Sequence, residues 1–505
     1  MTSIDQVRYS KLIALTSKPA NHAQVRYNDD NSRNLLTLTE LTIDCVSIQL
    51  GNMLKFCTNL TSLDIKHLGL LDSQYSIFAR LPNLINLGLH HVMYWNMLPV
   101  KLQSLRCPIT YEFLDELNRF TLLVSLKIHV TRTFYQQSSF NPSLPQLKHL
   151  ELDGYVTTIG ADVMMRLETL TFCSHDSCIR AYEQVPVDLA MFENATNMTH
   201  LNLKLQSSSF TLDHFQHMTR LVSLQVHIWD KTDVLDLAPL QHLTSLKSLH
   251  LSNVWVTSLG PLQHLQLESI DITDPNTTIL TPLIPFHNYD WDALNPSRLT
   301  HLKLHTRYHF QDNQEEQSIL SKFTNLKSLD YNNLKAISSI TSLTNLTSLA
   351  ITNNRGMIST LDGIQHLRQL VTVIISVWFV VNSDLLYLKD LPLQQLTISN
   401  SRLSSLTNIA TFTSLQVLSL DVDVGDDLIE LEPLIHLRDL SLNKTSPSRY
   451  HHYTHLDNIK PTQIPFAIIA TLRKLTNLNK FYITRKIRGK YMRLHYKKGK
   501  VQLDH

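Results

Sequence analysis

Residues 343–354 read LTNLTSLAITNN. Leu343, Leu346 and Leu349 step by three, and the step then drops to two at Ile351. An amphipathic helix needs steps of three and four, and a strand needs two throughout. A segment that changes period halfway must change conformation halfway. The three-step leucines belong to a tight turn, the two-step residues to a short strand, and both sets face one core.

The template L-x-x-L-x-L, with Ile, Val, Met, Phe or Cys at some apolar places, recurs nineteen times along the chain. Its first positions are Leu38, Leu60, Leu84, Leu102, Leu123, Leu147, Leu167, Met198, Leu221, Leu246, Leu267, Leu299, Leu326, Leu346, Leu370, Leu393, Leu415, Leu437 and Leu478. Most intervals are 18 to 27 residues, and longer ones follow Leu167, Leu267 and Leu437. A unit this short buries its leucines only against a neighbouring unit, so the pattern predicts a stacked array.

These copies and their period resemble the leucine-rich repeat. The resemblance covers roughly residues 36–484. The second half resembles the short intracellular type, seen also in bacterial internalins. From Leu393 the apolar series is Leu396, Ile398, Leu403, Leu406, Ile409 and Phe412, and Leu415 opens the next 22-residue unit. The resemblance implies an α/β fold: a curved solenoid with a parallel β-sheet on the concave face and short helices or 3-10 turns on the convex face. With strands about 4.8 Å apart, nineteen of them give a face on the order of 80–90 Å long. The family places Asn eight residues after the first Leu. Asn354 fits, whereas Ser401 and Val254 hold that place elsewhere, so the asparagine ladder is expected to be incomplete.

The array fills most of the 505 residues. Residues 1–35 are expected to be an N-terminal cap, with KLIAL as a short helix, residues 36–484 the solenoid, and 485–505 a basic C-terminal tail or cap. Insertions enlarge units at 174–196, 274–298 and 443–474. Such loops leave from one edge of a solenoid and are either tolerated or used in binding.

Composition narrows the function. Formal net charge is +2 and the apolar fraction is 43%, which excludes a strongly charged or disordered chain. Only 11 glycines are present, and no P-loop, HExxH or GxSxG motif occurs. With no room for a domain outside the repeats, we expect no enzyme and no cofactor. The N-terminus lacks an apolar core and a cleavage site, so no signal peptide is read. The most apolar run, Leu370 to Val381, falls short of the roughly 20 residues that span a bilayer. Five scattered cysteines suggest reduced thiols and a cytoplasmic setting. Cys173, His175, Asp176 and Cys178 in CSHDSC offer metal-ligand types, but the spacing matches no common zinc signature and no second cysteine pair follows. They are read as a strand end and a loop.

Side chains two, four and six residues after each first Leu should face the concave surface. His90, His129, His149, His200, His227, His250, His301 and His305 stand there, where 25 histidines in 505 residues would put about three. Lys127, Glu151, Asp153, Lys204 and Lys303 lie among them, while later copies carry Ser, Thr, Asp and Ala. This histidine-rich half is the expected partner-binding surface, with affinity that responds near the imidazole pKa. The alternative is that a flat polar ring simply suits a crowded sheet face. His242, His264, His366 and His436 precede strands and are read as structural turn residues.

The C-terminal end carries Lys480, Arg485, Lys486, Arg488, Lys490, Arg493, Lys497, Lys498 and Lys500, interleaved with Tyr482, Tyr491 and Tyr496. Cations with aromatics suit nucleic acid or anionic lipid. The alternative is a solvated hairpin that closes the sheet. The expected function is therefore a non-catalytic scaffold that binds a protein partner through the concave face. A substrate-recognition subunit of a ubiquitin ligase, an RNA-associated or structural subunit docking through the basic end, and an enzyme regulator are the other readings.

Overall fold

The structure is a computed structural model. It describes residues 38–504 except 44–53, 55, 66–76, 91, 93, 132–138, 155, 175–186, 207–209, 230–233, 257, 275–290, 306–312, 333, 353–357, 378–379, 400–402, 404, 422–429, 444–473, 476, 479, 488–489 and 498–499, and beyond residue 478 the backbone alone. The expected N-terminal cap, most of the three insertions and the turns holding Arg488 and Lys498 lie outside the described residues, as do His175, Asp176 and Cys178. The chain forms two compact units, Met1–Leu246 with Ser252–Thr257, and Lys247–Leu251 with Ser258–His505.

The three-residue step has a direct cause in hydrogen bonding. In the segment before the Ser348–Thr352 strand, Leu343 N–H donates to Ile340 C=O and Leu346 N–H to Leu343 C=O, at 2.9 and 3.0 Å. Each bond closes an i to i+3 turn, so successive leucines return to one side of the chain. The same relay runs Leu237–Leu240–Leu243–Leu246, Leu212–Phe215–Met218–Leu221 and Leu406–Ile409–Phe412–Leu415. Several of these turns continue into short 3-10 helices, such as Ile337–Ile340 and Ile409–Thr411.

Each of the nineteen copies then enters a strand two residues after its first position. Examples are Ser125–Thr131 after Leu123, His200–Leu205 after Met198, and Ser348–Thr352 after Leu346. Within each unit neighbouring strands are parallel and in template register: Ser348 pairs with Thr372, Leu349 with Val373 and Ile351 with Ile375. Alternation does the sorting. In SLAIT, Leu349 and Ile351 are fully buried and Ser348, Ala350 and Thr352 are half-exposed. Burying one leucine side chain contributes about 1.5–3 kcal/mol, and a copy supplies four or more only if neighbours cover both sides.

The rims are tied by ladders that the L-x-x-L-x-L template does not contain. Asn345, in the quoted stretch, sits one place before its first Leu. Its Nδ2 donates to Thr324 C=O of the preceding copy at 2.9 Å. Asn83, Asn197, Asn325 and Asn477 make the same bond to Thr58, Met165, Ser297 and Ile435. One place after the first Leu, Thr199, Thr300 and Thr347 donate to Glu168, Glu268 and Lys327 C=O.

At the other rim, Val254 occupies the expected asparagine place because the asparagine is displaced by one residue. Asn253 adopts φ 63° and donates to the Ile228 and Trp229 carbonyls, which frees Val254 to be fully buried. Gly154 holds the equivalent place with φ 111°. There a Cβ would strike the Val130 carbonyl, so only glycine fits.

The parallel run ends where the direction reverses. Lys480–Ile487 pairs in parallel with Asp439–Asn443, then antiparallel with Lys490–Lys497, which pairs antiparallel with Lys500–Asp504. The strand Lys480–Ile487 runs across the expected boundary at residue 485. The described parts of two insertions belong to the core: Phe192 and Leu294 are buried, and the Asp188 carboxylate accepts Ala190 N–H at 3.1 Å.

Candidate binding face

Parallel pairing in template register aligns equal template positions into rows across the open face of the sheet within each unit. In unit one the row six places after the first position runs His129, Asp153, Cys173, Lys204, His227. The row four places after it runs Asp64, Gly88, Arg106, Lys127, Glu151. In unit two the middle row includes Asp271, Lys303 and Asp330.

Carboxylates meet imidazoles and amines along these rows and, at His305–Asp330, between them. His129 Nδ1 lies 3.0 Å from Asp153 Oδ2, and Lys127 Nζ bonds the Glu151 carboxylate. In unit two Asp271 Oδ2 joins His250 Nδ1 at 2.6 Å and Lys303 Nζ at 3.1 Å, and His305 Nε2 lies 2.6 Å from Asp330 Oδ1. Arg106 reaches Asp64 at 3.5 Å across Gly88. A Cβ at Gly88 would collide with that carboxylate, so the missing side chain opens the path between copies two apart.

The other predicted histidines use hydroxyls or rings. His149 meets Thr169 across one rung at 2.9 Å, while His200 and His301 meet their own neighbours Thr199 and Thr300. His227 packs edge-on against Trp229, centroids 4.4 Å apart, and half of Trp229 is exposed. His90 follows the strand Asn86–Leu89 and is exposed, as is Lys204. His242, His264, His366 and His436 are exposed and precede strands, on or beside the turns. Sequence reasoning missed Asp271, Asp330 and Trp229 as members of the face. The signal was available: both aspartates stand four places after a first position, beside a histidine or lysine on an adjacent copy.

Burial would raise the Asp153 carboxyl, but hydrogen bonds from His129 and Cys173 and the His129 charge outweigh it and hold the group below its usual value. Asp271 behaves alike: burial raises, while His250 and Lys303 lower it further. Burial pushes the Cys57 thiol up to about 11 and Cys107 higher still, which keeps both as inert thiols.

One cluster combines thiol, carboxylate and imidazole, but in the wrong order for nucleophilic catalysis. A triad needs the imidazole between nucleophile and carboxylate. Here Asp153 stands between Cys173 and His129, so the imidazole cannot take the thiol proton. Among the described residues no group of three or more His, Cys, Asp or Glu side chains could hold a metal ion.

One strand per copy, equal register, and a core of leucines on i to i+3 turns define a leucine-rich-repeat fold, an α/β solenoid. No protein-family model and no curated protein matches the chain. Solved structures similar to it include an internalin, InlF, of Listeria monocytogenes (16% identity, TM-score 0.35, 78% of this chain and 89% of that one). A leucine-rich-repeat protein of Leptospira interrogans matches at 16% identity and TM-score 0.37, over 84% and 94% of the two chains. TLR13, solved as a complex with ssRNA13, matches at 17% identity and TM-score 0.44, over 81% and 67%. No helix among the described residues is long and apolar enough to cross a membrane.

Proposed function

We propose that the chain is a non-catalytic scaffold that binds a protein partner through the open face of its sheet, around His129, Lys127, Lys204 and His227 in unit one and His250, Lys303 and His305 in unit two. The observation that carries this reading is the lateral pairing of polar face side chains, as in His250–Asp271–Lys303. Side chains already held by their neighbours on a hydrogen-bonded sheet lose little freedom when a partner arrives. An odd number of scattered cysteines, five in all, supports a cytoplasmic setting. The basic end, Lys480 to Lys500, is read as a second surface of the same chain, for an anionic partner.

The test is affinity capture with three baits: the whole chain, a chain lacking residues 480–505, and Lys127→Glu combined with Lys303→Glu. A protein retained by the first two and lost from the third is the expected outcome. A protein lost on truncation and retained by the face variant would make the chain a tail-docked subunit instead.

A further inference from the structure

The antiparallel end of unit two sorts its residues in a way the sequence does not show. Lys480 pairs with Lys497, and Lys497 pairs with Lys500. Three lysines therefore stand in one row across three strands. The next row on the same face is Tyr482, His495 and Gln502, and the one after it Thr484, Arg493 and Asp504. Lys486 and Tyr491 close the series. This face is continuous with the open face of the repeats, because Lys480 pairs with Asp439 and Tyr482 with Ser441, while Phe481 and Ile483 pair with the buried Leu440 and Leu442. Arg485 and Lys490 fall on the opposite face, whose other members are Phe481, Ile483, Ile487, Met492, Leu494, Tyr496, Val501 and Leu503.

Like charges directly opposite each other destabilise a sheet. A row of three lysines is thus a poor choice for folding and a good one for holding anions. An aromatic row lies beside it, and cations flanked by stacking rings suit a phosphate backbone with unpaired bases. Asp439 and Asp504 are the acidic residues on this face, each at its margin. Resting on the reading of the basic end as an anion-binding surface, we propose that the row Lys480, Lys497, Lys500 and the adjoining Tyr482 and His495 bind single-stranded nucleic acid. The lysines take the phosphates and the rings take the bases.

The experiment measures binding of the full chain to a labelled single-stranded oligoribonucleotide over a series of salt concentrations. Lys497→Gln with Lys500→Gln is compared with Arg485→Gln plus Lys490→Gln, which removes the same charge from the other face. Losing two phosphate contacts should weaken binding and reduce the salt slope by about 1.4, or about 0.7 per contact for a single strand. The opposite-face variant should keep the wild-type slope, and Tyr482→Ala should weaken binding with the slope unchanged. If the opposite-face variant unfolds early in a thermal melt, Lys247→Gln with Lys322→Gln supplies the charge-matched control. Equal losses in the row and opposite-face variants would leave an anion-binding end but overturn the row, and equal losses in the row variant and the Lys247 and Lys322 control would overturn both. Retention on anionic vesicles without retention of RNA would overturn it in favour of lipid. No RNA binding by the unaltered chain would remove the anion-binding reading with it.

Discussion

Leu346 and Ser348 stand two residues apart and answer to different physics. Leu346 is fully buried, so Leu346→Ala leaves a cavity and should cost about 2–5 kcal/mol, read as a lowered urea midpoint. Ser348→Ala, on the open face, should change stability by less than about 0.5 kcal/mol. Glu316 is a buried carboxyl whose oxygens accept Lys335 N–H at 3.2 and 3.3 Å. Burial raises its pKa against the lowering effect of Ser339 and the Lys335 and Ala336 amides. The folded chain therefore holds this proton more tightly than the unfolded chain, and its contribution declines as pH rises from the ordinary glutamate value through the raised one. Thermal melts across that window should show the decline, and Glu316→Gln should remove it; an unchanged slope would contradict the assignment. Asp153 and Asp271 have the opposite sign. Their pairing stabilises above the ordinary aspartate value and is lost as pH falls through the lowered one. If face histidines also touch the partner, His129→Gln, His200→Gln and His250→Gln together should abolish any affinity difference between about pH 5.5 and about pH 7.5. A mutant with the parental pH response would exclude them.

At the scale of the element, the L-x-x-L-x-L spacing was enough to place the strand start of each of the nineteen copies. Burial on alternate positions leaves no freedom once the leucines are fixed. What the template hid were bonds between copies. The asparagine expected after the strand is displaced to Asn253 with a left-handed backbone. The ladder that recurs most regularly comes from Asn83, Asn197, Asn325, Asn345 and Asn477, on the opposite rim. A single sequence shows such residues only as frequent polar neighbours of a leucine, because the acceptor is a carbonyl of another copy. Removing one side-chain bond to a backbone carbonyl costs about 0.5–1.5 kcal/mol. Asn345→Ala should accordingly lower the urea midpoint and speed amide exchange in Leu349 and Ile351. Exchange at parental rates would show that the ladder is decorative.

For the whole molecule, the candidate face was half legible. Its histidines, its lysines and Asp153 stood out by position, yet Asp271 and Asp330 showed as partners only once the register between copies matched them to His250, Lys303 and His305. Under the proposed function, the face whose carboxylates already meet amines and imidazoles is where a protein partner docks. Titration of the captured partner against Lys127→Glu and Lys148→Glu tests it most directly. Each lysine is half-exposed and bonded to a glutamate of the next copy, Glu151 or Glu168, but only Lys127 lies in a face row. Lys127→Glu should lose at least about tenfold in affinity, or about 1.4 kcal/mol, and Lys148→Glu should keep the parental affinity. Parental affinity in both, or a loss confined to Lys148→Glu, would contradict it.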